Sequence, residues 1–133
     1  MVLADNIQDV FENFDFTESI ITEVKWENNL FDLSVTLDYW WNLDDDPTST
    51  KGYGTKILKL TFIDCIRANF NQGTNLIELD KEEIHPPSWF TVVNFRESAQ
   101  TDSRNLLNLE IITIDYDNPW LRVQCRGIKL EKV

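Results

Sequence analysis

Residues 20–41, IITEVKWENNLFDLSVTLDYWW, decide the fold. From Ile20 to Glu27 the chain is rich in β-branched residues, and Glu27-Asn28-Asn29 ends the run. Beyond it Leu33, Val35, Leu37, Tyr39 and Trp41 alternate with Asp32, Ser34, Thr36 and Asp38. Successive strand residues point to opposite faces, so this period of two describes an antiparallel hairpin with one face on a core and one in water. The consecutive Trp40 and Trp41 must then part company. If Trp41 joins Tyr39 in the core, Trp40 either faces outward beside Asp38 or lies under a second layer such as a helix.

Upstream of the hairpin the period is that of a helix. Ile7, Val10, Phe11 and Phe14 fall at i, i+3, i+4 and i+7, and Asp5 followed by Gln8 has the spacing of a capping box. The spacing predicts a helix over Asn6 to Phe14, too short to be stable unless its apolar stripe packs on something.

Downstream, Asn42 to Gly54 reads as a polar loop. Leu58, Leu60 and Phe62 alternate with polar residues, and their parity continues through Ile66, Ala68 and Phe70. Asp64 interrupts it, which calls for a bulge or tight turn. Leu76 to Leu79 is a candidate short strand, and His85-Pro86-Pro87 blocks any regular element. Strands are expected again over Trp89 to Phe95, Leu106 to Ile114 and Trp120 to Leu130. The last changes parity after Gly127, where a bulge is expected. The expected class is α+β, mainly β: a short N-terminal helix followed by an antiparallel sheet of about seven or eight strands, as a sandwich or a partly open barrel.

With 133 residues, 42% apolar, and only 4 Gly and 4 Pro, the chain has the size and make-up of one folded domain, 1–133. Met1 to Val10 lack the basic and apolar runs of a signal peptide, and no later run is long enough to span a membrane, so a cytoplasmic protein is expected. The charge is lopsided. Residues 1–50 carry 12 carboxylates and one base, Lys25, whereas residues 51–133 carry 11 of each. Such acidity opposes nucleic acid and anionic membranes, which are held by Lys and Arg. It favours a basic protein partner, or serves solubility alone.

Catalytic and metal chemistry are poorly served. Triad catalysis needs a base beside its nucleophile, and the one histidine, His85, stands next to two prolines that make it a rigid loop residue. One His and two distant Cys do not match zinc spacings, and Asp44-Asp45-Asp46 lacks the Gly and distal Glu of a calcium loop. No enzyme activity, metal or cofactor is therefore expected. Cys65 and Cys125 sit in apolar strand-like segments, as small buried thiols, with a cross-strand disulfide or a reactive thiol as the alternatives.

The run Phe16-Thr17-Glu18-Ser19-Ile20-Ile21-Thr22-Glu23-Val24-Lys25-Trp26, followed by Asn28-Asn29-Leu30 and a strand, resembles the opening of small bacterial immunity-type proteins, the partners of polymorphic toxins. Thr17 and Glu18 stand where those families carry His and Asp. Leu60-Thr61-Phe62-Ile63-Asp64 and Leu121-Arg122-Val123-Gln124-Cys125 are similar in flavour. The resemblance implies a β-rich protein that binds and blocks a toxin without turnover, and an acidic surface complements the basic nucleases among such toxins. The expected contact surface is Asp32, Asp38, Trp40, Asp44, Asp45 and Asp46, on a monomer or homodimer. The alternative is a small-molecule or carbohydrate-binding β-domain with a pocket lined by Trp26, Trp89 and Trp120. A structural domain, dimeric through an edge strand, is a third reading.

Overall fold

The computed structural model describes residues 2–39, 56–70, 90–98, 105–113 and 118–133. Along these run β1 (Val2–Ala4), α1 (Ile7–Asn13), β2 (Ile20–Glu27), β3 (Asp32–Tyr39), β4 (Lys56–Ile63), β5 (Arg67–Phe70), β6 (Asn94–Glu97), β7 (Leu107–Ile112), β8 (Leu121–Cys125) and β9 (Gly127–Lys132). The strands form two antiparallel sheets, a first in the order β1-β9-β4-β3-β2 and a second in the order β5-β8-β7-β6. Side chains from both meet in one core, and the sheets are not closed into a barrel. The predicted segment Leu76 to Leu79 lies outside the described residues. Among the described residues no helix is long and apolar enough to cross a membrane.

The β2–β3 hairpin has the register its pattern requires, with Trp26 opposite Leu33 and Val24 opposite Val35. Leu33, Val35, Leu37 and Tyr39 are buried. Asp32, Ser34, Thr36 and Asp38 share the other face. The turn is built from three successive left-handed residues, Asn28, Asn29 and Leu30, with φ of 52°, 56° and 71°. Asparagine tolerates this conformation, whereas leucine meets a Cβ clash worth roughly 1–2 kcal/mol. Leu30 is 70% exposed, so little packing offsets that strain. Leu30→Gly is expected to stabilise the protein by about 0.5–1 kcal/mol in urea unfolding, the relief of the clash less the entropy of glycine.

β4 and β5 lie in different sheets, and so do β8 and β9. The chain crosses between them at 64–66 and again at Arg126. Because β4 pairs with β9 and β5 pairs with β8, the two crossings lie side by side, and one two-stranded ribbon folds over a corner to serve both sheets. Backbone bonds run through the bend: Ile66 N–H donates to Gln124 O at 2.8 Å and Arg126 N–H to Ile63 O at 3.0 Å. Asp64 makes the tight turn with φ of 50°. The expected bulge at Gly127 is instead this change of sheet. Val123 and Cys125 reach the core from one side, and Ile128 and Leu130 reach it from the other.

Helix α1 lays the predicted stripe on the core, with Val10 fully buried and Ile7, Phe11 and Phe14 packed around it. Its cap is one residue later than the Asp5–Gln8 spacing suggests. Asn6 Oδ1 accepts from Asp9 N–H at 2.8 Å, and Asn6 Nδ2 donates back to Asp9 Oδ2 at 3.0 Å. Asparagine caps as well as aspartate does, so the competition between Asp5 and Asn6 is settled by geometry. Phe95 of β6 joins helix to sheets, its ring centroid 5.0 Å from Phe11, 5.4 Å from Phe16 and 6.3 Å from Phe62.

Candidate functional site

Of the six residues expected to form the contact surface, Asp32 and Asp38 are described; Trp40, Asp44, Asp45 and Asp46 lie outside the described residues. Asp32 and Asp38 stand on the outer face of the first sheet at opposite ends of β3, about 20 Å apart at the strand rise of ~3.3 Å per residue. They do not act as neighbours. Asp32 is structural: its Oδ1 accepts the Asp64 N–H at 3.0 Å and ties the hairpin to the corner, where Cys65 N–H also donates to Phe31 O at 2.7 Å. Asp38 sits between Ile20 and Ile57, with Oδ1 shut from solvent and no hydrogen-bond partner among the described residues.

The other carboxylates of the first sheet are engaged with lysines. Lys59 Nζ lies 2.8 Å from Glu27 Oε2, and Lys25 lies 3.4 Å from Glu27 Oε1 and 3.5 Å from Glu23. The hydrogen bond from Lys59 holds the Glu27 carboxyl below the ordinary carboxylate range, and Glu27 with Glu23 raises the Lys25 ammonium.

A second group of carboxylates, without ion pairs among the described residues, lies along α1 and its flanks. Asp9 and Glu12 lie three residues apart on α1, outside the packed stripe, and Asp5 precedes the N-cap; all three are exposed. Asp15 and Glu18 follow, also exposed. Asp15 N–H donates to the buried Tyr39 hydroxyl at 3.1 Å, which fixes this segment against the end of β3; Asp38, the neighbouring residue, is on the other face. None of these six carboxylates makes an ion pair among the described residues. The helical period that reveals the apolar stripe also places Asp9 and Glu12 off it, so these two were readable in the sequence.

The outer face of the second sheet carries the opposite charge. The register aligns two polar rows across its four strands: Asn69, Arg122, Glu110 and Arg96 in one, and Arg67, Gln124, Asn108 and Ser98 in the next. Glu110 is buried and held on both sides, by Arg122 Nε at 2.8 Å and Arg96 Nε at 3.2 Å. Gln124 Nε2 donates to Asn108 Oδ1 at 2.9 Å. The two rows line a concavity of about 100 Å³. Only cross-strand register brings these residues together, and no spacing along the chain announces it.

Both cysteines are buried free thiols at the corner. Cys65 S–H donates to Arg67 O at 3.4 Å. Burial pushes the Cys65 thiol up to about 11 and the Cys125 thiol up to about 12. Neither is therefore a nucleophile at neutral pH. Iodoacetamide at pH 8 is expected to leave both untouched in the folded protein and to label both in urea, as read by mass. The folded values lie above that of an unfolded cysteine, about 8.5. The thiol contribution to stability is thus complete below that pH and is lost as the pH rises toward the folded values.

Of the expected tryptophan pocket, Trp89 lies outside the described residues. Trp120 is buried edge-on against Phe70 and Phe90, while Trp26 is half exposed on the edge strand β2. Trp120 is buried as a lid on the core. Among the described residues no group of three or more His, Cys, Asp or Glu is arranged to hold a metal ion. No protein-family model matches the chain, and no curated protein matches it in sequence.

Proposed function

We propose that this chain is a non-enzymatic binding protein of the immunity type, which occludes a basic protein partner and acts in the cytoplasm. One observation carries the reading: Asp5, Asp9, Glu12, Asp15 and Glu18 follow one another along α1 and its flanks, all exposed, and none of them makes an ion pair among the described residues. The glutamates of the first sheet, Glu23, Glu27 and Glu131, are by contrast paired with lysine. An uncompensated patch of one sign raises the rate of encounter with a partner of the opposite sign and weakens with salt. The raised values of the two buried thiols, which disfavour thiolate chemistry, are in keeping with a protein that works by contact. The contact surface is accordingly centred on α1 and the loop behind it.

The test is affinity capture from native lysate at low salt, with a salt gradient and mass-spectrometric identification. A basic protein is expected to elute at moderate salt, and the double charge reversal Asp5→Lys with Glu12→Lys is expected to slow its association at least tenfold. Both positions are exposed and off the core, so the variant keeps its fold. Retention of the same protein by the reversed variant with unchanged kinetics would place the contact elsewhere.

A further inference from the structure

We infer that the concave outer face of the second sheet is a binding site for a phosphate-sized oxyanion. This is independent of the acidic end and opposite to it in charge. Along the two polar rows stand Arg67, Arg96 and Arg122 against a single acid, Glu110, in a chain whose net charge is −11. Arg122 gives its Nε–H to Glu110, which fixes the plane of the guanidinium and leaves its terminal nitrogens to other acceptors. Arg67 is exposed, makes no ion pair among the described residues and lines the concavity with Arg122. The two lie diagonally across β5 and β8, since Arg67 pairs with Gln124, two residues along from Arg122. Such diagonal neighbours are about 7–8 Å apart at the backbone, close enough for two long side chains to converge on one group.

Much of the remaining lining is polar as well: Asn69 offers an amide donor beside the guanidinium groups, and Asn108, whose amide also donates to Leu106 O at 3.2 Å, lines the concavity too. At about 100 Å³ the concavity is smaller than the 300–1,000 Å³ usual for drug-sized ligands. It suits one tetrahedral anion, or the phosphate end of a small monoester, held by guanidinium forks that match its oxygens. Glu110 is a positioning residue, because it orients Arg122 and does not itself favour an anion.

Inorganic phosphate titrated into the full chain, with sodium chloride at matched ionic strength as reference, tests this by thermal shift and by amide NMR shifts on β5 and β8. Glycerol phosphate in a parallel arm separates the free ion from a monoester. A saturable, phosphate-dependent rise in melting temperature is expected, with NMR shifts confined to those strands. Arg67→Ala is expected to weaken the affinity at least tenfold. Arg126→Ala, which removes the same charge from the exposed corner outside the concavity, is expected to leave it unchanged. No response beyond the chloride reference, or an equal loss in both variants, would overturn the site.

Discussion

Replacing Phe95 with alanine is expected to lower the unfolding free energy by about 3–5 kcal/mol, the range for emptying a buried aromatic site. Phe95 belongs to the second sheet, yet its ring faces Phe11 on the helix, Phe16 in the loop behind it and Phe62 on the first sheet. The cavity would therefore open where three layers meet, and none of them is free to collapse into it alone. Against a typical total of about 5–15 kcal/mol this is a large fraction, corresponding to a fall of roughly 10–20 °C in Tm. Because α1 is only Ile7–Asn13, it depends on this packing for its existence. Amide exchange in Ile7–Asn13 should accelerate more than in β3 or β4, and uniform acceleration would count against a local role.

The second large effect concerns the buried carboxylate of the second sheet. Removing both guanidinium groups, by Arg96→Ala with Arg122→Ala, leaves Glu110 buried without its partners and is expected to cost about 3 kcal/mol. That is the lower end of the range for breaking a buried pair, because both arginine side chains are about half exposed. Adding Glu110→Leu to the same background removes the stranded charge, and the triple variant is expected to regain most of the loss. Urea midpoints of the double and triple variants decide it. If the triple variant is no more stable than the double, the penalty lies in lost packing of the arginine stems rather than in an unpaired charge.

Much of this fold was legible in the sequence because its two periods are clean. The stripe Ile7, Val10, Phe11 and Phe14 marked the helix, and the alternation from Leu33 to Tyr39 marked the hairpin and its core face, although the other face is drier than the pattern suggested, with Ser34 buried. Strand β1 was missed, since three residues carry no period and its pairing with β9 is decided by the far end of the chain. The parity changes at Asp64 and Gly127 were visible, but a bulge and a change of sheet leave the same trace in one dimension. The charge imbalance was equally visible. Trp40 and Asp44 to Asp46 lie outside the described residues, whereas Asp9 and Glu12 on α1 follow from the period that defines the helix. The rows around Glu110 could not be read at all, because Arg96, Glu110 and Arg122 become neighbours only once β6, β7 and β8 are in register.

The corner ribbon also bears on how the chain is made. β4 emerges early and pairs at once with β3, but the partner for its other edge is β9, joined from Ile63 opposite Gly127. That partner is 64 residues away, so at about 5–20 residues per second a ribosome leaves the edge open for roughly 3–13 s. For that interval the nascent protein presents Leu58, Leu60 and Phe62 along an unpaired strand, a template for pairing with a neighbouring copy. Expression yield should therefore depend more on how quickly the last strand is delivered, through codon speed, temperature and chaperone supply, than on the stability of the finished molecule.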